Sequence, residues 1–270
     1  MGKLRIASIG SSSSGNAYIV SNGKTRLLLD VGLTAKRIKE GLAECNLTSD
    51  DIQGIFVTHE HVDHVKSIRA IAKACAGAKV YTSRGTAGSC DKFEHIRAEQ
   101  LEYMSAQDVV RIGDLSIKAF ALSHDAAEPL GFSFMEEGEQ LSVATDTGVV
   151  TDEIDEEVKH ANTLVLEANH EESILQMGDY PYSLKCRILG EYGHLSNVTS
   201  GIALARGLLA RKEAGLPSPT QRIMLAHLST HNNTPDTALL TVKNILDEND
   251  LCQENDFTIK VAAKDKLTTL

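Results

Sequence analysis

Three histidines and an aspartate crowd into residues 59–64 of the stretch "GIFVTHEHVDHV", directly after an apolar run. A short apolar run bounded by polar residues reads as a buried strand. That strand runs out at Thr58 and delivers His59, His61, Asp63 and His64 into the loop beyond it. Histidines two apart in such a loop can aim both imidazoles at one point. Asp63 and His64, one turn later, can serve a second point a few ångströms away. A polar turn with chance histidines is the alternative, but so dense a group is rare in a chain with ten histidines in all.

Four ligands do not complete two metal sites, so the chain must supply more. His124 follows "IKAFALS", Asp146 follows "LSVAT" and His227 follows "RIMLA". Each stands where an apolar run stops, the place where ligands converge in a sheet-based site. Any one of them alone could be an ordinary cap or turn residue; the set is harder to explain away.

The rest of the pattern is short strands interleaved with amphipathic helices. Apolar runs bounded by turn residues include "RIASIG", "AYIVSN", "TRLLLDVG", "GIFVTH", "KVYTS", "LSIKAFALSH", "GFSFME", "QLSVATDTG", "TLVLEAN", "RIMLAH" and "FTIKVAA". Helices are expected near 34–45, 65–76, 151–160, 183–191, 196–214 and 235–249. Thr34, Ser196 and Thr234 fit as N-caps, Pro235 as a first helical residue, and Gly77 and Gly215 as C-caps. Strands dominate the first third and helices enter later. The expected fold class is α/β (α+β): a four-layer αββα sandwich. No long Pro/Gly linker appears, so residues 1–270 read as one domain; "AGLPSPT" (214–220) is a loop.

The net charge of −10 gives no support to an extended nucleic-acid groove over the whole surface, although bound cations would make a local positive site. Five scattered cysteines (Cys45, Cys75, Cys90, Cys186, Cys252) include no C-x-x-C pair, which points to free thiols in a reducing cytoplasm. No apolar run approaches a membrane span, and nothing calls for a membrane or a stable protein partner.

The order H-x-H-x-D-H, then H, D and H, resembles the metallo-β-lactamase superfamily, with Asp30 of "LLLDVG" matching the family's aspartate behind the metal loop. More narrowly, "SSSSGN", "THEHVDH", "SHDAAEPLGF", "ATDTG", "LEANHE", "YPYSLKCRILGEYGHLSN" and "LAHLSTHNNTP" are similar to its WalJ/YycJ-like branch, which is bacterial, cytoplasmic and associated with DNA exonuclease activity. The resemblance implies the metallo-β-lactamase fold. It assigns one divalent ion to His59, His61 and His124 and another to Asp63, His64 and His227, with Asp146 bridging and Asp63 catalytic. Val62 stands where relatives often carry a small polar residue. Two cations about 3.5–4 Å apart can activate a shared water and neutralise charge on a phosphoryl oxygen. Imidazole and carboxylate ligands suit zinc or manganese, and iron is compatible.

His194 in "EYGHLSN" resembles the histidine that assists the scissile phosphate in the tRNA 3′-end processing nucleases, so it joins Asp63 as a catalytic candidate. The other reading is a helix-start histidine bonded to backbone. "SSSSGN" between two strands is either a plain hairpin turn or a concavity of N–H groups and hydroxyls for a phosphate oxygen, making Ser13, Ser14 and Asn16 substrate-binding candidates. Gly15 and Asn16 would there take positive φ. Tyr180 and Tyr182 can stack on unpaired bases, or simply lie in a loop and helix. Lys185 and Arg187 read as a solvated face. Asp125 and Glu128 either orient His124 or cap the turn before Pro129. His170 is a candidate neighbour of the ligands, while His95, His160 and His231 read as surface or helix residues.

The resulting expectation is a dinuclear metal-dependent phosphodiesterase cleaving single-stranded DNA from a 5′ end, the direction and DNA preference coming from the resemblance alone. The competing expectations are a hydrolase of small thioesters, lactones or cyclic phosphodiesters, and a regulatory role in cell-wall signalling.

Overall fold

The computed structural model describes residues 4–216 and 221–270. The 217–220 part of the expected 214–220 loop lies outside the described residues. Two compact units form. The first comprises residues up to Ala121, Ala126–Glu139 and Ala263–Thr269; the second comprises Leu122–Asp125 and Gln140–Ala262.

In the first unit, β1 (Arg5–Ser12), β2 (Gly15–Ser21) and β3 (Arg26–Leu29) make an antiparallel meander. Helix α1 (Ala35–Glu44), capped by the Thr34 side chain on the Arg37 amide, leads to β4 (Gly54–Phe56), parallel to β3. Two short helices, α2 (Val62–Val65) and α3 (Ile68–Ala74), lead on to β5 (Lys79–Thr82). Helix α4 (Arg84–Gly88) precedes β6 (Leu101–Tyr103), and both crossovers keep the strands parallel. The single helix expected over 65–76 is interrupted because the Ser67 amide donates to Val31 O and its hydroxyl to Leu33 O. Strand alternation places Ile55 and Val57 in a core with Ile38, Leu42, Ile68 and Ile71 of the helices. Phe56 points the other way, stacked on Tyr81 and edge-on to Phe132 and Phe134. β7 (Val109–Ile112), β8 (Leu115–Ala121) and β9 (Leu130–Glu136) follow as antiparallel neighbours.

The second unit is built on parallel strands: β10 (Glu139–Ala144), β11 (Thr163–Glu167), β12 (Gln221–Ala226) and β13 (Phe257–Val261). Between them lie α5 (Asp152–His160), α6 (Glu172–Met177), α7 (Tyr182–Leu189), α8 (Asn197–Glu213) and α9 (Pro235–Glu248). Ser196 and Thr234 cap α8 and α9 as expected, and Pro235 opens α9. Gly215 sits beyond α8 with φ 58°, but Gly77 has no positive φ and is not the left-handed cap expected after α3. A two-residue strand, β14 (Thr268–Thr269), returns to the first unit beside β1 and completes the order β14-β1-β2-β3-β4-β5-β6.

Within each unit, the segments after the carboxyl ends of parallel strands carry most of the candidate ligands. That is where open α/β sheets present their chemistry. His124 instead follows β8, an antiparallel strand.

Candidate metal centre

In the first unit, Asp30 follows β3 and Thr58–His64 follow β4. Asp30 is buried and accepts from the Thr58 amide (2.9 Å), the Thr58 hydroxyl (3.1 Å) and His64 Nδ1 (2.7 Å). The Thr58 hydroxyl has one proton and gives it to Asp30, so its lone pairs accept from His59 Nδ1–H at 3.0 Å. Both imidazoles are therefore fixed in the tautomer whose lone pair is on Nε2. The His59 ring lies 4.6 Å from that of His61 and 4.1 Å from that of His64, centroid to centroid. Asp63 Oδ2 stands 3.4 Å from His64 Nε2. His59, His61, Asp63 and His64 are thus brought together. Gly32, two residues after Asp30, makes this possible: a β-carbon there would lie 2.7 Å from the His64 amide nitrogen and closer still to the Asp63 carbonyl.

In the second unit, Asp146, Glu167 and His227 stand at the ends of β10, β11 and β12. Asp146 Oδ1 lies 3.8 Å from Nε2 of His124 and 3.3 Å from Nε2 of His227. One carboxylate oxygen therefore faces two imidazole lone pairs. His124 is turned to this position by donating Nδ1–H to Gly193 O at 3.0 Å. His227 and His194 both donate Nδ1–H to Glu167 Oε1 at 2.8 Å, while Glu167 Oε2 accepts from the amides of Thr147 and Leu195. Burial works to raise the Glu167 carboxyl; the charge of His194 and the two imidazole hydrogen bonds overcome it and hold the pKa at about 2. Burial likewise pushes His124 below its ordinary value, against the pull of Asp146. Asp146, Glu167, His194 and His227 offer ligand atoms within 4.8 Å of one another.

Asp30, Asp146 and His227 share an uncommon backbone state, with φ of 57°, 63° and 56°. Such left-handed conformations in non-glycine residues are costly and persist where surrounding contacts enforce them. At His227 one such contact is visible: Asn169 Nδ2 donates to its carbonyl at 2.9 Å.

The donor set fits divalent metal ions. His59, His64, His124 and His227 are each held through Nδ1, which makes Nε2 the ligating nitrogen, as is usual for metal-binding histidines; at His64 a cation would compete with the 3.2 Å contact from Asn16 Nδ2. Carboxylate oxygens complete each set, without a thiolate. Glu167 was not foreseen in the sequence, although "TLVLEAN" offers the same signal as Asp146 and His227, an acidic residue where an apolar strand stops.

The remaining candidates fall differently. Asn16 is fully buried, its side chain engaged by Ser11, Ser12 and His64 Nε2 (3.2 Å), so it braces the metal loop instead of facing substrate. Ser13 and Ser14 form the exposed two-residue turn. Neither Gly15 nor Asn16 has positive φ; a β-carbon at Gly15 would lie 2.7 Å from the movable end of Leu33 and 3.1 Å from the Gly32 carbonyl oxygen. Tyr182 is 83% exposed, and Tyr180 packs edge-on against His231. Lys185 donates to Gln176 O, and Arg187 pairs with Asp125. Asp125 Oδ1 lies 3.4 Å from His124 Nε2, whereas Glu128 accepts from the Gly85 amide and does not orient His124. His170 is buried, and neither ring nitrogen has a hydrogen-bond partner among the described residues. His95 is exposed, His160 pairs with Glu156, and Val62 faces solvent.

Residues 25–212 match the model of the β-lactamase superfamily domain. The chain is 35% identical over 246 residues to the exodeoxyribonuclease YycJ of Bacillus anthracis, covering 91% of this chain and 90% of that one. It is 34% identical over 265 residues to the exodeoxyribonuclease WalJ of Streptococcus pneumoniae, covering 97% and 95%. The chain belongs to the metallo-β-lactamase superfamily, in its WalJ/YycJ-like branch. The structure also matches the metallo-β-lactamase fold protein YhfI from Bacillus subtilis, with a TM-score of 0.71 over 99% of both chains at 13% identity. That likeness bears out the α/β, αββα fold class expected from the sequence. The family is one of metal-dependent hydrolases, and this member is an enzyme of that kind.

Proposed function

We propose that the chain is a dinuclear metal-dependent phosphodiesterase that hydrolyses single-stranded DNA from a 5′ end. The observation that carries this reading is Asp146 Oδ1 set between the Nε2 lone pairs of His124 and His227, the arrangement a carboxylate needs in order to bridge two cations. On this reading His59, His61 and His124 hold one divalent ion, Asp63, His64 and His227 hold the other, and Asp146 serves both. Residues 1–270 then act as one catalytic domain. Zinc and manganese suit the nitrogen and oxygen donors, and iron is compatible. When bound, the pair supplies an activated water and neutralises charge on the phosphoryl oxygens.

The chain's own groups divide the remaining work. Asp63, whose side chain is 23% exposed, takes the proton of the attacking water. His194, with its Nδ1–H anchored on Glu167, gives a proton from Nε2 to the leaving oxygen. Ser13 and Ser14 offer hydroxyls to a phosphate, and Tyr180 and Tyr182 offer faces to unpaired bases. The curated names of the YycJ and WalJ relatives support DNA as substrate. Five free cysteines, and the lack among the described residues of any helix long and apolar enough to cross a membrane, support placement in a bacterial cytoplasm.

The test is cleavage of 5′- and 3′-labelled single strands beside bis(p-nitrophenyl) phosphate and a thioester. The proposal expects early release of the 5′ label, turnover of the phosphodiester, none of the thioester, and loss of both DNA and diester cleavage in Asp63→Ala. Thioester hydrolysis without phosphodiester cleavage would overturn it.

A further inference from the structure

The net charge of −10 makes any concentration of unopposed cations on this molecule conspicuous. One exists in the first unit. An open groove of about 630 Å³ is lined by Arg69 and Lys73 of α3 together with His95 and Arg97 from the segment before β6. Its floor is apolar and firm. Ala72 and Ile96 are buried there, and buried Gln100 donates to the carbonyls of Ala72, Cys75 and Ala78. Arg69, Lys73, His95 and Arg97 are all exposed. Arg97 donates to Ala76 O at 2.8 Å and has a partial counter-charge in Glu99 at 3.6 Å; Arg69 and Lys73 have no ion-pair partner among the described residues.

The helix that lines the groove follows the metal loop closely in the chain. Asp63 and His64 lie in α2, and α3 begins four residues after His64. Arg69 and Lys73 stand four apart on α3, which sets their side chains on one helix face about 6 Å apart along the axis. A set of cations over an apolar floor, on the helix that follows the metal loop in the chain, matches a polyanion with apolar sugars and bases between its charges.

We infer that this groove holds the uncleaved part of a single-stranded nucleic acid, with Arg69, Lys73 and Arg97 on successive backbone phosphates. The inference rests on the phosphodiesterase reading and makes the enzyme selective for long strands over short ones. It assigns the groove to substrate holding and leaves the reacting atoms to the metal loop.

The experiment compares the metal-loaded wild type with Arg69→Ala/Lys73→Ala. Substrates are a 30-nucleotide single strand, a trinucleotide and bis(p-nitrophenyl) phosphate, assayed over a salt series. Loss of two phosphate contacts should lower the slope of log affinity against log salt by about 1.4 for the long strand. The wild-type advantage in KM should accordingly shrink about sevenfold between 50 and 200 mM salt, by the same relation. Turnover of the trinucleotide and of the diester should stay within about twofold. The charge-conserving Arg69→Lys/Lys73→Arg variant should keep the wild-type slope, which separates charge from folding. An unchanged slope for the double alanine variant, with diester cleavage intact, overturns the groove and leaves the phosphodiesterase reading standing. A wild type that cleaves neither strand nor diester overturns that reading, and the groove with it.

Discussion

Gly32→Ala is the substitution whose consequence can be worked most fully from the structure. Gly32 donates its amide to Asn16 O at 2.8 Å and lies against the backbone of the metal loop. An added β-carbon would sit 2.7 Å from the His64 amide nitrogen, whereas ordinary van der Waals contact begins at 3.4 Å. The nearest atom, the Asp63 carbonyl oxygen, lies 1.5 Å from the added carbon, so 3.4 minus 1.5 requires it to retreat by about 1.9 Å and the His64 amide by at least 0.7 Å. Functional constellations tolerate about 0.5 Å. A misplacement near 1 Å costs on the order of a hundredfold in rate. Overpacking of this kind costs about 1–3 kcal/mol, which for a chain of this size is a fall in Tm of roughly 2–10 °C. The expected result is a folded protein with metal content reduced below two per chain and kcat on bis(p-nitrophenyl) phosphate lowered about 100-fold or more. Gly77→Ala is the matched control, since nothing lies within 4 Å of its added carbon, and it should be near wild type in both respects. Wild-type metal content and kcat in Gly32→Ala would refute the claim that the turn after β3 sets the position of Asp63 and His64.

Two further substitutions probe how the ligands are held. Asp30→Asn turns an amide N–H towards His64 Nδ1 and favours the tautomer with the proton on Nε2, so metal affinity measured by competition with a chromogenic chelator should fall about 10–100-fold. Glu167→Gln removes a carboxylate whose folded pKa lies below its ordinary value of 4.5. A depressed pKa contributes stability that is full above about 4.5 and is lost as pH falls towards 2. Urea midpoints of the metal-free variant should therefore fall less steeply than those of the wild type across that window; parallel curves would show that Glu167 does not carry the acid sensitivity.

The parts of the site that the sequence made legible were the ends of strands. His59, His124, Asp146 and His227 are readable because an apolar run stops beside each, and a strand's end is where a side chain leaves the core. Glu167 carries the same signal, but an acidic residue at a strand end also reads as a solvated turn. What separates the two cases is the pair of imidazoles on its Oε1, a contact spanning 27 residues to His194 and 60 to His227. Asn16 differs in the opposite direction. Its neighbours in sequence are turn-forming residues, the pattern that makes it a substrate-binding candidate. β2 begins at Gly15, however, and pairing carries Asn16 back into the interior beside His64. The short strands β6, β7 and β14 gave no pattern to find, since each is brief and largely solvent-facing. Backbone strain at Asp30, Asp146 and His227 is invisible in a one-dimensional sequence because long-range contacts impose it.

The central claim is that seven side chains hold two cations and that these cations are needed for phosphodiester cleavage. Elemental analysis of purified wild type and His61→Ala, run beside bis(p-nitrophenyl) phosphate turnover before and after chelation, addresses it directly. Two divalent ions per wild-type chain are expected, with metal and activity lost together in His61→Ala and on chelation. Full turnover by metal-stripped protein would contradict the account.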